Sequence, residues 1–463
     1  MAKKSTTTSD LKGSGGSRVF VWILGIVSFG LLAYLLAHVA YQMVVPPPAQ
    51  KLLFVQDILL PSGLADNAQQ ASSLKPGIEL PFDGFDFQAY DPPTHRLFLA
   101  HTGPNPDLML LAHTKFDPRF DGNVMVFDTQ QDKIVARINV PQIAGLVIAP
   151  DLRKLYAADG TDNIVYSINM NSLVPTPIRL TLNDSPDAMS YDPVDHRVFV
   201  SVPGAPVDPN KSLNVDPKNQ NVTVIDALTD KVVSKINLGF LPLLPGENTT
   251  TLPNAPKVPI IQPGNYPIFG HDVGHNKYDA GLQRVFVAST ILQDGDSTNQ
   301  LLLPPPGTGE LIEIDPVNAT IVKRITLPDT CSTPHGMAID EGQQVAFIAC
   351  TDIDPNRNLF SNLLRVNLRT MTVIPTAPAK AQLAAGPDIV VIDHPLNVLF
   401  VGCVGGISVF DEKAGEFHKL GDYVLGKGTH TIAIDEQTHE IFLPQITGGR
   451  PILRIGRYNP NGV

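Results

Sequence analysis

Six segments of the sequence begin with a histidine or an aspartate and continue as an alternating apolar run that ends in a turn. The opening residues are Asp86, Asp187, His271, His335, Asp388 and His430, and a seventh segment has Ala144 at this point. Histidine and aspartate bind divalent metals and transfer protons. Their recurrence at one position of a repeat therefore indicates a metal-binding or acid–base site.

The segments belong to a longer repeat that explains their spacing. After each turn comes a second strand built around a buried-type aromatic, then a third strand such as "NVMVFD" and a fourth such as "ARINVP". The aromatic positions are Phe98, Tyr156, Phe199, Phe286, Phe347, Phe400 and Phe442. Seven copies of four short strands predict an all-β, seven-bladed β-propeller.

The last copy predicts how the ring closes. It ends after its third strand, "PILRIGRYN", whereas "KLLFVQDILLP" (residues 51–61) resembles the fourth strands of the other copies. Pairing these two segments removes the exposed edges of an open array. The propeller is therefore expected over residues 51–463, with strand 51–60 closing the last blade.

One face of this propeller carries the long loops. The first strand of each blade lines the central channel and starts at the face that we call the top face. The turns of the opposite, bottom face are short, whereas segments 102–122, 203–220, 239–268, 290–309 and 351–362 belong to the top face. Long loops on a rigid scaffold often hold binding residues, so the top face is the expected working surface.

The opening residues of the first strands should meet at the top mouth of the channel. Simple hairpin pairing places His335 beside Cys350 and Asp86 beside His101. The expected binding residues are Asp86, His101, Asp187, His271, His335, Asp388 and His430, with His271, His335 and His430 as the metal ligands. A second interpretation also fits: the aspartates cap strand N–H groups, and the histidines are solvated in a polar mouth. The sequence assigns no catalytic residue.

The cysteines and the net charge limit the cofactors and partners. Cys350 and Cys403 fall in adjacent blades, too far apart to bridge, so they are expected to be free thiols, and Cys331 is expected to be a packing residue. No C-x-x-C-H haem motif is present. The histidine and aspartate residues at the mouth make a divalent metal the candidate cofactor. The formal charge of -11 argues against a nucleic-acid partner.

The N-terminal region predicts a membrane anchor. Residues 19–45 contain no Asp, Glu, Lys or Arg. As a helix, this segment is long enough to span a bilayer. The basic residues in 1–18 keep that end cytoplasmic, and the Pro-rich linker 46–50 holds the bottom face towards the membrane. This single-pass topology places the propeller in the periplasm or another extracytoplasmic space. A cleaved signal peptide is the alternative.

The repeat units also resemble a known family. "PDAMSYDPVDHRVFVS" and "NVTVIDALTDKVVSKINL" resemble the YVTN-type repeats of bacterial extracytoplasmic seven-bladed propellers, over nearly all of residues 51–463. The resemblance implies the fold and an extracytoplasmic location. Related propellers include lactone hydrolases and subunits of redox enzymes, so two functions are expected: a binding or assembly module for a protein or small-molecule ligand, or a metal-dependent, lactonase-like hydrolase.

Overall fold

The alternation of apolar and polar residues folds the chain into seven antiparallel sheets of four strands, which confirms the predicted propeller. The structure is a computed structural model. It describes residues 51–61, 83–104, 122–160, 162–182, 184–204, 220–238, 270–292, 309–353, 359–413, 416–426, 428–447 and 450–459.

The strands follow one another around the ring, each sheet forming one blade. Blades 1 to 4 consist of β2 (Asp83–Asp91), β3 (Arg96–Pro104), β4 (Asn123–Asp128) and β5 (Lys133–Asn139); β6 (Ile143–Ala149), β7 (Lys154–Asp159), β8 (Ile164–Asn169) and β9 (Pro175–Arg179); β10 (Met189–Asp192), β11 (Arg197–Val202), β12 (Asn221–Asp226) and β13 (Lys231–Asn237); and β14 (Gly270–Asp279), β15 (Arg284–Leu292), β16 (Gly309–Asp315) and β17 (Thr320–Thr326). Blades 5 to 7 consist of β18 (Thr333–Asp340), β19 (Val345–Ile353), β20 (Leu359–Asn367) and β21 (Thr372–Ile374); β22 (Pro387–Asp393), β23 (Val398–Cys403), β24 (Gly406–Lys413) and β25 (Glu416–Val424); and β26 (Ala433–Asp435), β27 (Glu440–Thr447) and β28 (Arg450–Tyr458) with β1 (Leu52–Leu59). Among the described residues, two short helical turns, Pro92–Thr94 and Pro378–Ala381, join strands.

The seventh blade takes its outer strand from the beginning of the described chain. Its sheet has the order β1-β28-β27-β26. The guanidinium of Arg454 on β28 donates two hydrogen bonds of 2.7 Å to the Asp57 carboxylate on β1, and the Leu60 N–H donates to the Pro451 carbonyl at 3.0 Å. The two ends of the propeller chain thus share one blade. Residues 54–458, which include all these contacts, form one compact unit.

The core lies between neighbouring blades. All seven anchor aromatics are at most 2% exposed. Between blades 1 and 7, Leu97 and Phe127 pack with Phe442 and Leu453. Apolar burial of this kind is the main force that stabilises the fold, and it fixes the first strands around the channel.

The bottom-face turns are short, as the sequence predicts. The aspartate that ends a first strand accepts hydrogen bonds from the N–H groups of its turn: Asp192 from Val194 at 2.8 Å, and Asp279 from Leu282 at 2.7 Å. These side chains cap the turns by accepting hydrogen bonds from the turn N–H groups.

Several predictions fall on residues that the structure does not describe. Residues 1–18, 19–45 and 46–50 lie outside the described residues, and so do 105–121, 205–219, 239–269, 293–308 and 354–358 of the predicted top-face loops. Within the described ranges, no helix is long and apolar enough to span a bilayer.

Candidate functional site at the channel mouth

A β-bulge interrupts the first strand of five blades at the predicted site. In each bulge, two residues of the first strand oppose one residue of the second. The bulged pairs are Asp86–Phe87, Ala144–Gly145, Gly274–His275, His335–Gly336 and Asp388–Ile389. A bulge bends its strand and re-aims a side chain, so these residues leave the sheets and turn to the channel mouth.

The bulges overturn the predicted hairpin neighbours. Pro334, not His335, lies opposite Cys350, and Phe85, not Asp86, lies opposite His101. Simple pairing assumed one residue per position on both strands. The extra residue in each bulge shifts the register by one, which residue types alone do not reveal.

Glycines let neighbouring first strands approach closely at these bulges. A Cβ atom on Gly336 would overlap the carbonyl oxygen of Asp388 in the next blade. A Cβ on Gly145 would likewise overlap the Asp187 carbonyl oxygen. Only glycine therefore fits at these two contacts, which hold the mouth narrow.

The centre of the mouth is the Asp388 carboxylate. Its Oδ2 lies 2.7 Å from Nδ1 of His430, in hydrogen-bonding geometry. Its Oδ1 lies 3.3 Å from Nε2 of His275 and 3.6 Å from Nε2 of His335. The His275 and His335 rings are neighbours, with centroids 4.9 Å apart. We call Asp86, His275, His335, Asp388 and His430 the mouth cluster.

Two buried atoms in this cluster make no hydrogen bond. They are Nε2 of His275 and Oδ1 of Asp388, which face each other without hydrogen-bonding geometry. The His275 side chain is only 2% exposed, whereas 40% of the His335 side chain is exposed. Buried polar atoms are normally paired, so these two atoms are candidates for contact with a bound group.

The charges of the cluster follow from burial and contact. Burial lowers the pKa of His275 to about 4, which keeps its ring neutral at pH 7. Burial alone would raise the pKa of Asp388, but the contacts with His275 and His430 outweigh it and hold this pKa below its usual range. Burial opposes protonation of His430, but the hydrogen bond to Asp388 prevails and raises the pKa of that imidazole. An anionic carboxylate and a neutral imidazole are the forms that bind metals.

Asp86 differs from Asp388 although both are carboxyls of the same cluster. Burial, reinforced by the Asp187 and Asp388 carboxylates, raises the pKa of Asp86 to about 8. The electrostatic interaction between Asp187 and Asp86 shows that Asp187 also lies near the mouth. The backbone N–H of Asp187 donates to the Ser201 carbonyl at 3.0 Å.

Two of the distances among the inner three residues are close to those of a zinc-type site. Ligand atoms of His275, His335 and Asp388 all lie within 4.8 Å of one another. A tetrahedral ion with bonds of about 2.0–2.1 Å holds its ligand atoms roughly 3.3–3.5 Å apart, close to the observed 3.3 and 3.6 Å. Asp86, Asp388 and His430 form a second group within the same limit. In that group, His430 already binds Asp388, which suits it to orient the carboxylate.

The structure brings together four of the seven predicted residues: Asp86, His335, Asp388 and His430. Asp187 contributes through its charge. His101 is 2% exposed and lies inside blade 1, 3.1 Å from the Asn123 amide and against the Phe85 ring. His271 lies on β14 opposite Ile291 of β15, and the side chain of His271 is outside the described part of the structure.

His275 is the functional residue that the sequence analysis missed. In six of the seven copies, an aspartate stands seven residues before the anchor aromatic. For Phe286 this aspartate is Asp279, which places the start of the channel-lining part of β14 at Gly274–His275 and not at His271. That spacing was the available signal.

The cysteines correct a further expectation. Cys331 and Cys350, expected to be free, form a disulfide with Cα atoms 5.0 Å apart, while Cys403 is free and buried. Cys331 precedes β18 by two residues, and the chain entering β18 lies beside the end of β19, within bridging distance. The disulfide therefore fixes the start of the strand that carries His335.

Comparisons with known proteins identify the fold and no family. No protein-family model matches the chain, and no curated protein matches it. Among solved structures, Kuenenia stuttgartiensis hydrazine synthase is similar with a TM-score of 0.56 and 11% identity, over 82% of this chain and 98% of that one. The β-propeller domain of Myceliophteria thermophila Cps50 (Swd1) is similar with a TM-score of 0.50 and 10% identity, over 81% of this chain and 97% of that one. The protein is a seven-bladed β-propeller, a fold that commonly binds ligands or partners.

Proposed function

We propose that the protein is an extracytoplasmic binding module that holds a divalent transition metal at its channel mouth. His275 Nε2, His335 Nε2 and Asp388 Oδ1 would be the ligands. Three protein ligands leave a coordination position open, as in zinc sites that bind an exchangeable molecule and unlike closed structural sites. The small molecule or protein ligand would bind there from the top face.

One observation carries this proposal. Two imidazole nitrogens approach one carboxylate oxygen at 3.3 and 3.6 Å, and the buried 3.3 Å contact between His275 Nε2 and Asp388 Oδ1 lacks the geometry of a good hydrogen bond. Capping of strand ends, the alternative interpretation from sequence, would satisfy such atoms. A cation satisfies all three ligand atoms at once.

The location of the protein is part of the proposal. A disulfide persists mainly in oxidising compartments, so the Cys331–Cys350 bridge supports an extracytoplasmic propeller of the YVTN-repeat kind. The apolar run 19–45 would anchor it in the cytoplasmic membrane, with the N-terminus inside and the top face directed away from the bilayer.

Metal titration of the full-length chain in detergent tests the metal site. After chelation and dialysis, Zn²⁺ should bind with a stoichiometry near one, and Co²⁺ should give the visible absorption of a tetrahedral ion. His275→Ala and Asp388→Asn should each weaken Zn²⁺ binding by more than about 100-fold, and His430→Ala by about 10–100-fold, because it orients Asp388.

Two controls make the test specific. His439→Ala removes a histidine that pairs with an aspartate on the bottom face and should leave Zn²⁺ affinity unchanged. His271→Ala separates the ligand set predicted from sequence from the set seen in the structure, and it should also retain binding. Wild-type affinity in His275→Ala and Asp388→Asn would overturn the proposed site.

A second candidate function is a metal-dependent, lactonase-like hydrolase. The observation that favours it is the Asp86 carboxyl, which shares the cluster with Asp388 and His430 and would exchange a proton beside the metal. A bound metal would supply Lewis-acid activation. Hydrolysis of a panel of lactones and esters that requires added Zn²⁺ and fails in Asp86→Asn would establish this function; Zn²⁺ binding with no turnover would leave the binding module as the supported function.

A further inference from the structure

Four large apolar side chains are exposed at the tips of bottom-face turns. They are Val174 in blade 2, Val194 and Leu228 in blade 3, and Val317 in blade 4, each between 54% and 60% exposed. Elsewhere in the described chain, the bottom-face turns expose no large hydrophobic side chain. Single exposed apolar residues are common on soluble proteins, but these four are confined to three consecutive blades. We call them the apolar rim.

Hydrogen bonds across the blade boundaries connect the turns of the apolar rim. Nη1 of Arg197 in blade 3 donates to the Val317 carbonyl of blade 4 at 2.8 Å. Lys154 of blade 2 donates to the Ala227 carbonyl of blade 3, directly before Leu228, at 2.7 Å. The rim therefore lies on one continuous side of the bottom face.

Backbone groups at the tips are already hydrogen-bonded within the protein. The N–H groups of Val194, Leu228 and Val317 donate to the aspartate that begins each turn, at 2.8, 3.0 and 2.9 Å. Entry into lipid is costly for a backbone group that has no internal partner. These turns can thus present their side chains to a lipid surface without leaving those N–H groups unpaired.

The rim lies across the ring from the blade in which the propeller chain begins. The contacts of blade 7 pair β1 and β28 in opposite directions, so β1 starts at the bottom face. In a ring of seven blades, blades 3 and 4 are the two farthest from blade 7. Residues 46–50 span at most about 18 Å when extended, so a bilayer that holds residues 19–45 would lie close to this face.

We propose that the apolar rim docks on the surface of the lipid bilayer. The inference rests on the proposed location, in which residues 19–45 cross that bilayer. One attachment at blade 7 leaves the propeller free to tilt, whereas a second at blades 2–4 holds the bottom face parallel to the membrane. The turns of the rim contain more acidic than basic side chains, so the docking depends on apolar contact with lipid and needs no anionic headgroup.

Lipid quenching of a single dye tests the docking. The full-length chain is reconstituted in phosphatidylcholine vesicles, with nitrobenzoxadiazole attached to Pro193→Cys, an exposed position that leaves all four rim residues in place. The native cysteines are buried and do not compete for the dye. Lipids with a nitroxide on the acyl chain should quench the emission by at least about half, and added phosphatidylglycerol should not increase the quenching. The same dye at Val404→Cys, in a top-face turn, should not be quenched.

Substitution within the rim tests the assigned side chains. Leu228→Ser/Val317→Ser should reduce quenching of the Pro193→Cys dye by at least about twofold, because it removes half of the apolar contacts. Val322→Ser, at an exposed valine of β17 in the same blade as Val317, should be quenched like the chain with an intact rim. Undiminished quenching in the double variant would overturn the assignment. A dye that is shielded from water but not quenched by the lipid nitroxide would indicate a protein partner and would also overturn it.

Flotation and metal titration separate this inference from the proposed function. A full-length chain that floats with the vesicles but shows no quenching at Pro193→Cys would keep the anchor and lose the docking. A chain that does not float would overturn both the location and the docking. Leu228→Ser/Val317→Ser should keep wild-type Zn²⁺ affinity, because it changes no residue of the mouth cluster, so failure of the metal site would leave the docking result intact.

Discussion

The two ends of the channel-lining strands carry the same residue types in different states. At the bottom face, Asp393 accepts from the Leu396 N–H at 3.3 Å and lies 2.8 Å from Nδ1 of His439 in the next blade. At the mouth, Asp388 is bound to His430 on one oxygen only, and its Oδ1 lacks a hydrogen bond. The residue types alone would give both ends the same role.

The difference lies in the backbone. At the bottom face, a tight turn brings N–H groups to the aspartate, so its lone pairs are used within the chain. At the mouth, bulges carry Asp388, His335 and His275 out of the sheet, where no turn N–H is available. Aspartate–histidine pairs at the bottom face therefore stabilise the fold, and we propose that those at the mouth bind a ligand.

The largest predicted effect concerns the close approach that shapes the mouth. Gly336→Ala introduces a Cβ that overlaps the Asp388 carbonyl, so the backbone must shift. We expect a loss of about 3 kcal/mol or more in the free energy of unfolding, measured by denaturant titration. Gly160→Ala is the control, because its Cβ would meet the Pro186 carbonyl at an ordinary 3.6 Å. Equal stability of the two variants would show that the mouth has room to relax.

The next effect concerns the disulfide that fixes the start of β18. Removing Cys331–Cys350, which joins residues 19 apart, should cost about 3 kcal/mol through the greater entropy of the unfolded chain. A Cys331→Ala/Cys350→Ala variant should melt at the same temperature with and without reductant, whereas Cys403→Ala should respond to reductant like the wild type. A reductant-insensitive wild type would argue against the bridge.

A paired substitution compares the two ends directly. His439→Ala leaves Asp393 Oδ2 buried without its partner and should cost about 2 kcal/mol. His335→Ala, at a side chain that is 40% exposed, should change stability by less than about 0.5 kcal/mol. The expected Zn²⁺ affinities run the other way: His335→Ala loses binding, and His439→Ala keeps it. If both variants lose stability and keep metal, the mouth is as structural as the bottom face.

The sequence predicts the fold far better than the site. The spacing of the turn aspartate and the anchor aromatic, as in Asp393 and Phe400, repeats because each blade must bury the same aromatic behind the same turn. The site depends on bulges, and a bulge changes which residue faces the channel without changing residue composition. Thus "HDVGHN" offers two histidines; the spacing from Asp279 to Phe286 favours His275 over His271, and the backbone register shows that His275 lies in the bulge.

The smallest predicted effect is a difference in pH dependence between the two ends, measured on metal-free protein. The pKa of Asp86 in the folded chain is about 8 because of burial and its neighbouring carboxylates, above the value of about 3.9 in an unfolded chain. Folding therefore favours the protonated carboxyl, so this contribution to stability is complete below about pH 4 and is lost as the pH rises towards 8. Asp86→Asn, which cannot ionise, should melt about 1–3 °C above the wild type at pH 9 and close to it at pH 4.

Asp226, in a bottom-face turn, has the opposite sign: burial opposes its ionisation, but the Thr229 and Leu228 hydrogen bonds prevail and lower its pKa. Asp226→Asn should therefore be less stable than the wild type at neutral pH, and this difference should shrink as the pH falls through the folded-state pKa. Melting curves from pH 3 to 9 for both variants decide the matter: parallel wild-type and Asp86→Asn profiles would show that the mouth carboxyl is as well solvated as one on the surface.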